Sequence, residues 1–122
     1  MKKQVLIADA DFVFAKELSR ALEESGKFQV IDIALNGRQA VRMVEERRPD
    51  VLVMDILLPE LDGLCVLDCI SNLCPSITAF VATGFISNYI ADALAARHIS
   101  GLLKKPCTAQ CVVDQIRDEL TL

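Results

Sequence analysis

The feature that most constrains this chain is a regular alternation of short apolar runs with longer stretches of helical spacing. Val5-Leu6-Ile7-Ala8, Val30–Ala34, Val51-Leu52-Val53-Met54, Ile77–Ala82 and Ile99–Leu103 are each the length of a buried or near-buried strand and rich in β-branched residues. Between them lie Phe14, Leu18, Ala21 and Leu22; Ala40, Val41 and Val44; Val66, Leu67 and Ile70; Ile86, Ile90 and Leu94; and, last, Val112, Val113, Ile116 and Leu120. These recur every three or four positions, as the inner face of an amphipathic helix does. Strands hydrophobic throughout need cover on both faces, so the pattern implies a parallel sheet between two helical layers.

Punctuation agrees with this division. Gly26 can close the first helix, Asn36-Gly37 can open the second, and Pro49, Pro59, Pro75 and Pro106 all fall outside the helical patterns. The expectation is one domain over residues 1–122, an α/β (βα)₅ doubly wound five-stranded parallel sheet of flavodoxin-like topology. The 122 residues are 52% hydrophobic and 25% charged, enough apolar surface for a core and too much for a disordered chain. In such a sheet ligands gather at the carboxyl ends of the strands.

Those ends carry the polar chemistry. The first run is followed by Asp9-Ala10-Asp11, the third by Asp55, the fourth by Thr83-Gly84 and the fifth by Lys104-Lys105-Pro106. A carboxylate ending a buried strand must be solvated, paired or bound to a cation. Several on one edge, with a lysine and a hydroxyl, suit Mg²⁺, which takes one or two carboxylates, keeps several waters and accepts phosphate oxygens. The set reads as a phosphoryl site: an Asp oxygen as nucleophile, cation and lysine offsetting charge, and a Thr hydroxyl donating to an equatorial oxygen.

The segment Asp55-Ile-Leu-Leu-Pro59-Glu-Leu-Asp62-Gly63, with Thr83 before a small residue and Lys105 before Pro106, resembles the receiver domains of two-component response regulators, the chemotaxis-type fold. The resemblance spans essentially the whole chain. Within the family, Pro49 to Leu67 looks most like the receiver of the sporulation master transcription regulator of Firmicutes. The resemblance implies that Asp55 is the phosphoacceptor, Thr83 the switch hydroxyl and Lys105 the family's lysine before a cis proline. It implies Mg²⁺ held by Asp9, Asp55 and the backbone carbonyl of Leu57, with Asp11 a further candidate. It also implies a histidine kinase or histidine phosphotransferase as donor, and a population shift of the fourth helix, fifth strand and fifth helix toward an effector domain or a second copy. In the parent family a DNA-binding domain commonly follows the fifth helix, and this chain ends there, as a stand-alone receiver or as part of a longer regulator.

Two departures qualify that reading. Receivers usually place two adjacent acids at the end of the first strand, and here the second is Ala10, so Mg²⁺ binding should be weaker than in a standard receiver. Three residues before Lys105, where the family often has an aromatic residue, stands Leu102. The positions two beyond Asp55 and two beyond Thr83 are Leu57 and Phe85, apolar residues that cannot orient an attacking water, which implies a long-lived phosphoaspartate.

Plainer readings stand beside these. Asp55 could be a solvated turn carboxylate, Thr83 a β-former, Lys104 a surface lysine, and Asp62 a turn or cap residue. Asp11 reads first as the N-cap of the first helix. Cys65/Cys69 and Cys107/Cys111 have i, i+4 spacing, but a joint zinc site would require the third and fifth helices to share a face, so these four cysteines read as buried small hydrophobes. His98, the only histidine, reads as an exposed helix-end residue favoured by the macrodipole.

Two other function classes remain. Val5 to Val13 fits the strand-Asp-x-Asp signature of haloacid-dehalogenase-type phosphatases, with Asp9 as nucleophile, Asp11 as acid/base, and Thr83 and Lys105 on phosphate. Those enzymes need a further acidic motif after the lysine, which Pro106-Cys107-Thr108-Ala109 does not supply. Ala10 motivates the second alternative, a degenerate receiver that works by protein contact without phosphorylation. The receiver reading itself makes the chain a phosphoacceptor and not an enzyme. The net charge of −4 argues against direct nucleic-acid binding. No apolar stretch reaches the length of a membrane span, and the odd cysteine set without a signal-peptide pattern suits a reducing cytoplasm.

Overall fold

The computed structural model describes residues 1–84 and 86–122. Ten elements alternate: β1 (Lys3–Ala8), α1 (Phe12–Glu24), β2 (Phe28–Ala34), α2 (Gly37–Arg47), β3 (Val51–Met54), α3 (Gly63–Leu73), β4 (Thr78–Thr83), α4 (Asn88–Ala95), β5 (Gly101–Lys104) and α5 (Ala109–Leu120). The strands pair in parallel in one sheet of order β2-β1-β3-β4-β5. This is the flavodoxin-like order expected, and its reversal point lies between β1 and β3.

Alternation along each strand divides the core in two. Leu6, Ala8, Leu52, Met54, Ala79 and Val81 face a layer containing Val44 of α2, Val66 and Ile70 of α3, and Ile90 and Leu94 of α4. Val5, Ile7, Val51, Val53 and Phe80 meet Leu18 and Leu22 of α1 and Val112, Val113 and Ile116 of α5. Full burial of each Val, Leu, Ile, Met or Phe side chain among these stabilises the fold by about 1.5–3 kcal/mol before entropy is charged against it. The two layers hold α3 and α5 apart, so the two cysteine pairs do not meet.

Each helix starts on a side-chain cap. Asp11 accepts from the Phe14 amide, Asn36 from Gln39, Asp62 from Leu64 and Cys65, Ser87 from Ile90, and Thr108 from Cys111. A cap of this kind contributes about 1 kcal/mol. Gly26, at φ +76°, follows the C-terminus of α1 in the left-handed conformation.

Several expectations need correction. Ile86 precedes the Ser87 cap and lies outside α4. β4 begins after Ile77 and includes Thr83, while β5 begins at Gly101, not Ile99, and includes Lys104. β5 is also half exposed, because it is an edge strand with one neighbour. Cys65, Cys69 and Cys111 are exposed and Cys107 is half-buried, leaving Cys74 as the one buried cysteine. Helical phase explains the difference, since α3 buries Gly63, Val66, Leu67 and Ile70 and turns Cys65 and Cys69 outward.

Candidate functional site at the carboxyl edge of the sheet

Register brings the candidate residues together. Ala8 pairs with Met54 at the ends of β1 and β3, and the ladder continues one step beyond, with the Asp55 amide donating to the Ala8 carbonyl at 3.0 Å and the Asp9 amide to Ala34 at 2.9 Å. Asp9 and Asp55 therefore leave adjacent strands side by side. Thr83 pairs with Lys104, and the Lys105 amide donates to the Thr83 carbonyl at 2.9 Å, placing Lys105 over the same edge. The Lys105–Pro106 peptide is cis.

Three polar residues here are buried: Asp9 at 4% exposure, Asp55 at 9% and Thr83 at 0%. The Lys105 ammonium bridges the two carboxylates, with Nζ 2.6 Å from Asp9 Oδ2 and 3.1 Å from Asp55 Oδ2. Asp9 Oδ1 accepts from the Asp11 amide at 2.9 Å, and Asp55 Oδ1 from the Leu57 amide at 3.0 Å. Burial pushes the Asp9 carboxyl above its ordinary value, although the Lys105 ammonium and the Asp11 amide hold it down. Burial alone would lower Lys105, but its bonds to Asp9 and Asp55 outweigh that and hold its pKa above the usual lysine value. One ammonium against two carboxylates leaves a negative charge on the edge.

That residual charge and its oxygen donors fit Mg²⁺. The hydrogen-bonded ammonium shows that the space between Asp9 and Asp55 attracts a cation, and two carboxylates with retained waters meet the ion's usual demand. Ala10 brings no side-chain oxygen, and among the described residues no group of three or more His, Cys, Asp or Glu side chains forms a metal cage. Leu57 places its backbone beside Asp55 through its amide, and the residue is 57% exposed. Phe85, the other apolar flanking position, lies outside the described residues.

The remaining candidates fall into structural places. Asp11 caps α1 with Oδ1 on the Phe14 amide at 3.1 Å, so one of its oxygens is committed to the helix. Asp62 caps α3, Lys104 is exposed, and Leu102 lies partly exposed on β5. His98 is exposed three residues past the end of α4, not on the helix itself. Sequence reasoning missed Phe14, which it assigned only to the core face of α1. Its ring centroid lies 4.4 Å from Lys105 Nζ, a cation–π contact. No local pattern marks that pairing, because it arises only when α1 packs beside the end of β5.

Comparison with known proteins bears on the family and the fold. The family model for the response regulator receiver domain matches residues 5–117. Protein-glutamate methylesterase/protein-glutamine glutaminase 2 of Carboxydothermus hydrogenoformans is 32% identical over 123 residues, covering 98% of this chain and 34% of that protein. The corresponding protein of Aliivibrio fischeri is 35% identical over 78 residues, 64% of this chain and 21% of its own length. The chain thus spans about a third or less of the length of these relatives. Among solved structures, a CheY-like receiver domain protein of Methanospirillum hungatei superposes with a TM-score of 0.91 at 22% identity, covering 99% of this chain and 95% of that one. The response regulator domain of Thermotoga maritima CheB gives 0.85 at 21% identity, covering 100% and 98%. No described helix is long and apolar enough to cross a membrane. With the family model matching nearly the whole chain, and the sheet order in agreement with the fold of the solved receiver structures, the chain belongs to the response regulator receiver domain family.

Proposed function

We propose that this receiver is a phosphoacceptor switch in which Asp55 takes a phosphoryl group from a phosphohistidine of a histidine kinase or histidine phosphotransferase. The observation that carries the reading is the convergence of Asp55, Asp9 and Lys105 within hydrogen-bond distance on the carboxyl edge, beside the fully buried Thr83. An Asp55 oxygen attacks phosphorus, the P–N bond to the donor imidazole breaks, and the imidazole leaves with the bonding pair. Lys105, already at Asp55, is placed to neutralise charge arriving on the phosphoryl oxygens, and Thr83 supplies a hydroxyl at the end of β4. Asp9 and Asp55, with the Leu57 carbonyl, would hold Mg²⁺. When bound, the ion offsets negative charge on the transferring group.

Phosphorylation would then redistribute the contacts of Thr83 and Lys105 and shift α4, β5 and α5 toward a second arrangement read by an effector or a second copy. The segment Pro49 to Leu67 favours a transcription-regulating effector. The methylesterase/glutaminase names of the curated relatives favour a second reading, in which the switched output is an attached or separate methylesterase.

Incubation with a small phosphodonor and Mg²⁺, read by intact mass, tests the core of the proposal. One phosphoryl increment on the wild type, absent from Asp55→Asn and retained by Asp11→Asn, is the expected result. An increment that survives Asp55→Asn and is lost on Asp9→Asn supports the phosphatase-type nucleophile. No increment under any condition supports the phosphorylation-independent module suggested by Ala10.

A further inference from the structure

We propose that Phe14 is a positioning residue that clamps the Lys105 ammonium between Asp9 and Asp55, so that Lys105 occupies the cation position of the site and Mg²⁺ must displace it. The inference rests on the phosphoacceptor reading above only in taking Asp9 and Asp55 as the pair that receives the ion.

The contacts form a closed circuit. Lys105 donates to Asp9 at 2.6 Å; Asp9 Oδ1 accepts from the Asp11 amide at 2.9 Å; Asp11 Oδ1 accepts from the Phe14 amide at 3.1 Å; and the Phe14 ring lies 4.4 Å from the Lys105 ammonium. The Asp11 cap that starts α1 thereby also fixes the residue that faces the lysine. Asp55, at 3.1 Å, closes the remaining side. An ammonium between two carboxylates and the negative face of an aromatic ring is held by three attractive surfaces.

Competition follows from charge and space. The carboxylate oxygens that Lys105 engages, Asp9 Oδ2 and Asp55 Oδ2, are hard donors of the kind Mg²⁺ requires, and an ion there would face the positive charge of Lys105. Ala10 removes the carboxylate that would otherwise favour the metal. With two carboxylates in place of three, the single lysine neutralises half of the charge available to the ion. A ring that holds the lysine in place therefore favours the metal-free arrangement, and loss of the ring favours the ion.

The test is a Mg²⁺ titration of the full chain, followed by amide chemical shifts or calorimetry, on wild type, Phe14→Leu, Phe14→Tyr, Lys105→Met and the Phe14→Leu/Lys105→Met double variant. Phe14→Leu keeps apolar bulk without the π face and should tighten Mg²⁺ about 3- to 10-fold, the range a partly desolvated cation–π contact supports. Phe14→Tyr should behave as wild type. Lys105→Met should tighten Mg²⁺ further, and adding Phe14→Leu to it should change nothing more. Unchanged affinity in Phe14→Leu, or an equal shift in the presence and absence of Lys105, overturns the proposal, as does failure of Lys105→Met to bind Mg²⁺ more tightly than wild type. A Phe14→Leu chain that does not fold is replaced by Phe14→Met, with the same expectations. Phosphoryl transfer to Asp55 is read separately by mass, so its absence would sink the phosphoacceptor reading without touching the cation competition.

Discussion

Gly63 lies directly on the backbone of Ile56: its amide donates to the Ile56 carbonyl at 2.9 Å, and a Cβ on it would stand 2.6 Å from the Ile56 Cα. The chain leaves β3 at Asp55, runs out through Leu57 and Pro59, and returns at Asp62-Gly63 to start α3. That return closes the loop bearing the candidate phosphoacceptor, and only a residue without a side chain lets the two backbone segments meet. Gly63→Ala should destabilise the fold by about 1–3 kcal/mol, the ordinary cost of overpacking a filled site. Urea unfolding checks this, and a stability equal to wild type would show that the loop relaxes freely. Asp62→Ala should cost about 1 kcal/mol through the lost cap of α3.

The Lys105 bridge should appear in the pH dependence of folding. Lys105 holds its proton more tightly in the folded protein than at its ordinary value of 10.5. The stability it contributes is therefore complete below pH 10.5 and lost as pH rises through the elevated folded value. Asp9 is also raised above 3.8, so its own contribution is full below that value and declines as pH rises through its folded pKa. Denaturant unfolding of wild type and Lys105→Met across pH 8 to 12 should give curves that differ most at the low end and converge at the high end. Parallel curves would show that Lys105 does not pair with the carboxylates in solution.

Much of this molecule is legible in its sequence because two periodicities and a few polar punctuation marks specify it. Val5 to Ala8 and Val51 to Met54 alternate between the two core layers, and Asp9, Asp55, Thr83 and Lys105 fall at strand ends once those strands are placed. Asp11, Asn36 and Asp62 are recognisable caps. The cysteines misled because their hydropathy suggests burial, while the phase set by Val66, Leu67 and Ile70 turns Cys65 and Cys69 to solvent. The Phe14–Lys105 contact was invisible for a different reason. It joins the first turn of α1 to the residue after β5, and no local pattern reports how two elements distant in sequence are packed.

Restoring the missing acid tests what Ala10 does. Ala10 is exposed at the end of β1, next to the buried Asp9, so an aspartate there should fold without large cost. Unit charges about 4 Å apart interact by about 1 kcal/mol in water and about 4 kcal/mol near a protein surface, so Ala10→Asp should tighten Mg²⁺ by about tenfold or more. Calorimetric titration gives the comparison directly. No gain would mean that the added carboxylate is turned to solvent, or that Lys105 still dominates the pair.

Leu57 governs the last expectation, the lifetime of the phosphorylated state. Its amide donates to Asp55 Oδ1 at 3.0 Å, and the residue is largely exposed. A branched alkyl group there has no atom that can orient or deprotonate a water attacking the acyl phosphate, so hydrolysis lacks general-base assistance from this position. The phosphorylated chain, freed of donor and followed by intact mass, should persist well beyond a minute. Leu57→Asn introduces an amide able to hold a water and should shorten that lifetime several-fold, with Leu57→Met serving as the control that preserves the apolar surface. Hydrolysis within a minute in the wild type, or equal lifetimes in Leu57→Asn and Leu57→Met, would show that water reaches the phosphoaspartate by a route this side chain does not guard.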